Sequence, residues 1–176
     1  MNTPDTDPKA LQEKDFGTEQ ITPAKCPGQI YRRILVATDF SACSASAFER
    51  GLKLAKQNHA ELLIAHSSAI PSTFCFMPAD CYEEWEKKCR TEAEKSMGAL
   101  LEKAHKENVK AHLLALEGIA DDAIPEAAKR LGVDLIVIGM HDHRKGSRLV
   151  LGSVVAPLIS RAPRAVLTVH SPAPAA

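Results

Sequence analysis

The 176-residue sequence predicts an α/β fold: a doubly wound, five-stranded parallel sheet flanked by about four helices. Three observations predict it. Short, unbroken apolar runs rich in branched residues, such as Ile34-Leu35-Val36-Ala37 and Leu135-Ile136-Val137-Ile138, read as strands covered on both faces. Between such runs lie longer segments whose apolar residues recur every three or four positions, as on an amphipathic helix. Strand and helix patterns then alternate along the chain, which calls for parallel strands joined by right-handed crossovers.

Residues 1–29 hold four prolines and few large apolar groups, too little to offset the entropy of ordering them. A flexible N-terminal arm is expected there. One domain is expected over 30–170, and residues 171–176, Ser-Pro-Ala-Pro-Ala-Ala, read as a disordered tail. The first strand is Ile30 to Thr38, closed by Asp39-Phe40-Ser41. The first helix runs from Ser44 to Asn58, with Ala47, Phe48, Leu52, Leu54 and Ala55 on its apolar side. Glu61 to Ser67 is the second strand. Ser68 to Asp80 is irregular, with Pro71 and Pro78 around an apolar Phe74-Cys75-Phe76-Met77 that reads as a lid or a dimer contact.

A long helix follows, Cys81 to Glu107. Tyr82, Trp85, Cys89, Ala93, Met97, Leu100, Leu101 and Ala104 form one stripe down it. Val109 to Leu116 is the third strand and Ala120 to Leu131 the third helix. Asp121 and Asp122 sit near the positive end of that helix, and Gly132 ends it. The fourth strand, Leu135 to Ile138, stops at Gly139, a residue that allows a positive φ or a close approach to the backbone. A polar loop with Arg144, Lys145 and Arg148 leads to Gly152-Ser153, placed where a fourth helix begins. Pro157 lies close to the start of normal helical bonding, so an irregular first turn is expected. Ala165 to Val169 is the fifth strand.

Lysine plus arginine equals aspartate plus glutamate, 22 each, so no global basic field points to nucleic acid. There is no polybasic run, no leading apolar segment and no apolar stretch near 18 residues. The expected location is cytoplasmic, with no membrane partner. Five cysteines (Cys26, Cys43, Cys75, Cys81, Cys89) without C-x-x-C spacing read as free thiols. Those on the long helix are expected to act as small core residues, with a thiol sensor as the sharper alternative.

A doubly wound sheet binds ligands beyond the carboxyl ends of its strands, where the winding reverses. Ala37-Thr38-Asp39, His66-Ser67 and the residues from Gly139 onward occupy those ends. A glycine and a hydroxyl opening a helix, as at Gly152-Ser153, offer free amides to a phosphate. The chain has no G-x-G-x-x-G after its first strand and no G-x-x-x-x-G-K-[ST], which argues against dinucleotide dehydrogenases and P-loop nucleotidases. Asp39 reads equally as a helix cap or a ligand contact. His66 and His170, each ending a strand, read as partly buried neutral imidazoles. His141-Asp142-His143 falls short of a metal site.

The stretches I-L-V-A-T-D-F-S, E-L-L-I-A-H and D-L-I-V-I-G-M-H, with L-G-S-V fourteen residues on, make Tyr31 to His170 resemble a universal stress protein. The nucleotide-binding branch of that family carries G-x2-G-x9-G-[S/T]. Gly139, Gly152 and Ser153 match its first glycine, last glycine and hydroxyl, while Asp142 replaces the second glycine. The resemblance implies a Rossmann-like fold of the adenine nucleotide alpha hydrolase-like kind. It also implies a site in which Ala37, Asp39 and Ser67 edge the adenine. Gly139 would approach the ribose and phosphates, and Gly152, Ser153 and Val154 would hold the phosphates.

A carboxylate such as Asp142 at ~6 Å from a phosphate charge costs roughly 2–3 kcal/mol at an effective dielectric near 20. Arg144, Lys145 and Arg148 can offset that charge, or Asp142 can hold a bridging Mg2+ or Mn2+. The function expected is a stress-response switch or adaptor that binds ATP, ADP or AMP and at most hydrolyses ATP slowly. The resemblance further implies a homodimer through the last strand, Ala165 to Val169, besides a protein partner the sequence does not name. The alternatives are a homodimeric interaction protein that binds no nucleotide and a thiol-based redox-responsive module.

Overall fold

The computed structural model describes residues 30–68, 79–140, 143–145, 148–150 and 154–170. The expected arm, the segment around Phe74-Cys75-Phe76-Met77, Asp142, Gly152-Ser153 and the tail lie outside the described residues. The elements are β1 (Arg33–Ala37), α1 (Ala42–Asn58), β2 (Glu61–Ser68), α2 (Ala79–Lys106), β3 (Ala111–Glu117) and α3 (Ala120–Arg130). They continue with β4 (Leu135–Met140), β5 (His143–Lys145), β6 (Arg148–Val150), α4 (Val155–Arg161) and β7 (Ala165–His170).

The main sheet has five parallel strands in the order β3-β2-β1-β4-β7. The chain winds outward from β1 to β3, then returns to β4 on the other side of β1, so the winding reverses between β1 and β4. Alternation within each strand sends side chains to two separate cores. Ile34, Val36, Leu62, Ile64, Leu135 and Val137 pack with residues of α1 and α2. Leu35, Ala37, Leu63, Ala65, Ile136 and Ile138 pack with residues of α3 and α4. Burial on both faces is the physical reason these strands read as unbroken apolar runs.

Several boundaries differ from the sequence reading, each for a local reason. β4 passes through Gly139 to Met140 because β7 pairs with it that far, Gly139 with Val169 and Met140 with His170. The basic loop contains an antiparallel hairpin, β5 with β6, in which Lys145 lies opposite Arg148. The two residues between them, Gly146-Ser147, are a hairpin cue that the sequence reading passed over. In α4 the Leu158 amide bonds the Val154 carbonyl at 3.1 Å, while the residues that precede Val154, against which the irregular first turn expected at Pro157 would be judged, lie outside the described residues. Pro125, inside α3, is buried against the second core.

Helix α2 is 28 residues long, ~42 Å at 1.5 Å per residue, well beyond the length of the strands it covers. Met97 and Ala104 are buried, but no described side chain from Asp80 to Ser96 is. Cys81 and Cys89 are therefore exposed free thiols rather than core residues. The stripe that contains Cys89 continues past the part of the helix that reaches the sheet.

Gly139 lacks a side chain for a packing reason. A Cβ there would lie 2.5 Å from the carbonyl carbon and oxygen of Cys43 and 2.7 Å from the Ser44 amide nitrogen, and its φ is not positive. The backbone of α1 crosses β4 at this point. Gly139→Ala has to push backbone atoms apart and should destabilise the fold by about 1–3 kcal/mol. Gly98→Ala, in α2 with nothing within 4 Å, should instead stabilise by about 0.5–1 kcal/mol. Denaturant midpoints of the two variants check the pair, which should move in opposite directions.

At the amino end of the sheet, Glu61 pairs with Lys110 and, at 2.9 Å, with Arg33 Nε. Lys110 first, then Arg33, hold its pKa at about 2, below the usual 4.5. The folded state thus binds this proton more weakly than the unfolded one. The stabilisation is complete above pH 4.5 and is lost as pH falls towards 2. Both cationic partners are largely exposed, so its size is about 1 kcal/mol or less. Glu61→Gln should be measurably less stable than the parent at pH 7, and at pH 3 that gap should shrink by more than half.

Candidate functional site

The turn from β1 into α1 is built by short polar side chains. Ser41 has extended backbone angles and caps α1, its Oγ accepting the Ser44 amide at 3.2 Å. Asp39 does not cap the helix. Its Oδ1 accepts the Ser41 amide at 3.0 Å, which fixes the turn that delivers the cap. Burial works against the Asp39 carboxylate, but hydrogen bonds from Ser41 and Ser44 outweigh it and hold its pKa below the ordinary value. Thr38 is buried. Its hydroxyl lies 3.2 Å from Ser44 Oγ and accepts the Phe40 amide at 3.1 Å, while its own amide bonds the Ala65 carbonyl.

Phe40 sits in the left-handed region, φ 63°, an uncommon conformation for a bulky residue. Its ring packs on the His66 imidazole at 4.6 Å between centroids. His66 Nδ1 lies 2.9 Å from the Thr38 carbonyl. A carbonyl only accepts, so Nδ1 carries a proton and the ring is locked to the β1 end. The partial burial expected of His66 is what the structure shows. Sequence reading missed the Thr38–Phe40–His66 and Ser41–Ser44 contacts. The Ser41-x-x-Ser44 spacing before an apolar run was the available signal for the cap.

Ser67, next along β2, faces the opposite way from His66. Leu63 and Ala65, of the same parity, lie in the core under α3 and α4. The Ser67 hydroxyl donates to the Gly118 carbonyl at 2.6 Å, joining the ends of β2 and β3. Gly118 has φ 100°, and Ile119 beside it is 61% exposed.

The carboxyl edge therefore gathers Ala37, Asp39, Ser67 and Gly139. Ala37 pairs with Ala65 on one side and Ile138 on the other. Val154 packs against the same core as Ala37 and Ile138. Arg148 is placed only by its backbone in β6. Gly152, Ser153 and Asp142 lie outside the described residues, so the phosphate end of the expected site has no geometry here. Among the described residues, no group of three or more His, Cys, Asp or Glu could hold a metal ion. None of the described helices is long and apolar enough to cross a membrane.

The opposite edge is different in kind. A cavity of roughly 190 Å3 lies there among Lys56, His59, Glu61, Asn108 and Lys110, where α1 and α2 end. Its lysines are engaged, Lys56 by Glu107 at 2.6 Å and Lys110 by Glu61. It is far from the switch point, and its cations are neutralised.

The class defined by these features is a doubly wound α/β domain whose winding reverses between β1 and β4. The universal stress protein family model matches residues 30–170, and the chain belongs to that family. It is 30% identical over 144 residues to the universal stress protein MJ0531 of Methanocaldococcus jannaschii, covering 81% of this chain and 84% of the relative. Among solved structures it resembles the hypothetical protein MJ0577, with a TM-score of 0.67 and 23% identity over 81% of this chain and 98% of that one. An AMP-bound family protein from Arabidopsis thaliana matches at TM-score 0.59 and 19% identity, covering 81% and 93%. A universal stress protein in complex with cAMP matches at 0.54 and 24%, covering 81% and 98%.

Proposed function

We propose that this chain binds an adenine nucleotide in the crevice at the carboxyl ends of β1 and β4 and acts as a nucleotide-dependent switch or adaptor in a stress response. The observation that carries the reading is the convergence of Ala37, Asp39, Ser67 and Gly139 on one edge at the switch point. Relatives of the same fold hold AMP and cAMP. In this reading Ala37, Asp39 and Ser67 border the base and Gly139 the ribose. Gly152, Ser153 and Val154 hold phosphate with backbone amides, and Arg144, Lys145 and Arg148 partly offset the charge of Asp142.

Hairpin β5–β6 supports the phosphate side. It carries Arg144, Lys145 and Arg148 on the stretch between β4 and α4, a local run of basic residues suited to an anion. The parallel edge strand β7 has β4 as its one sheet neighbour and only half-buried apolar residues, Val166, Leu167 and Val169. Pairing with its twin over Ala165 to Val169 covers that edge and gives the homodimer.

Calorimetric titration with ATP, ADP and AMP tests the reading, and at least one should bind with a stoichiometry near one per chain. Asp142→Gly should tighten ATP binding tenfold or more, because it removes a repulsion of roughly 2–3 kcal/mol. Failure of all three nucleotides to bind would leave a dimeric interaction module. An unchanged ATP curve for the variant would reject repulsion as the role of Asp142.

A further inference from the structure

Resting on the nucleotide reading above, we infer that Ser67 is a specificity residue that reads the six-position of the base, favouring an amino group over an oxo group. A serine hydroxyl has one proton to donate and two lone pairs to accept with. The Ser67 proton is committed to the Gly118 carbonyl at 2.6 Å, at the short end of the O–H···O range. Gly118 is itself held, its amide on the Ser68 carbonyl at 3.3 Å and its φ at 100°. The hydroxyl is thus a pinned rotor, and only acceptor capacity remains to it.

Its position makes that capacity relevant. Ser67 is half-buried at the carboxyl end of β2, on the same side of the sheet as Ala37 and Ile138. Ala37 and Ala65 are buried in the core on that side, so of this row it is Ser67 that reaches the edge of the sheet. The side chain before it on β2, His66, is turned away and tied to Thr38 and Phe40, so it does not compete for the base edge.

An exocyclic amino group, as in adenine, donates into the free lone pair of Ser67. A six-oxo base presents an acceptor to an acceptor. Turning the hydroxyl to meet the oxo group breaks its bond to Gly118. An apolar residue at this position takes no part in either interaction.

The test is the ATP-to-inosine-triphosphate affinity ratio, measured by calorimetry on the full chain and on Ser67→Val and Ser67→Thr. Contacts to the base from other groups are shared by parent and variants, so the informative quantity is how far the ratio changes between variants. Ser67→Val should lower it about tenfold, the effect of one lost hydrogen bond and one relieved acceptor clash. Ser67→Thr keeps a hydroxyl that can donate to Gly118 and should hold the parental ratio within about twofold. A Val variant that binds both nucleotides with the parental ratio overturns the role of Ser67 while leaving nucleotide binding intact. A parent chain that binds neither triphosphate overturns the nucleotide reading and this inference with it.

Discussion

Helix α1 meets β4 backbone to backbone at Gly139, where a Cβ would stand 2.5 Å from the Cys43 carbonyl. Two elements separated by nearly a hundred residues are held there without an intervening side chain. The approach brings the β1–α1 turn against the carboxyl end of β4, at the switch point of the sheet. The turn itself is then made rigid by short polar groups. Asp39 holds the Ser41 amide, Ser41 caps the helix, and Thr38 takes the Phe40 amide. With the helix set farther away, none of these contacts would fix the turn relative to β4.

The two edges of the sheet have been given different work. At the amino edge, polar groups are paired with one another: Glu61 with Lys110 and Arg33, Lys56 with Glu107, and Asp134 with the amides of Arg32 and Arg33 at 2.8 and 3.0 Å. Such groups tie strands and helix ends together and leave little for a ligand. At the carboxyl edge the polar groups are oriented by local bonds but keep unused capacity, as the lone pairs of Ser67 show. That asymmetry fits the proposed reading, in which one end of the sheet is tied together and the other takes the ligand.

Much of this was legible in the sequence, because burial on both faces writes strands as apolar runs and the helices as stripes. Leu135 to Ile138 and Ile34 to Ala37 read directly as strands covered on both faces, and the five-strand parallel architecture followed. What stayed hidden depends on distance between segments. Gly139 read as a glycine suited to a positive φ or a close approach, and nothing in its neighbours showed that α1 was what approached. Cys81 and Cys89 fit an apolar stripe, yet a stripe does not say where the sheet beneath it ends. Asp39 and Ser41 are both sound helix caps on residue type, and only the backbone decides between them. The hairpin after β4 had its Gly146-Ser147 cue, outweighed by the charge of the residues around it.

The central claim is that the carboxyl edge receives the nucleotide and the amino edge does not. Amide chemical shifts of the 15N-labelled chain, followed during a titration with ATP, test it most directly. Perturbations should concentrate at Asp39 to Ser41, Ser67, Gly118, Gly139 and Val154, with His59, Asn108 and Lys110 unmoved. Saturable shifts confined to His59, Asn108 and Lys110, or none at the carboxyl ends of β1, β2 and β4, would contradict the account.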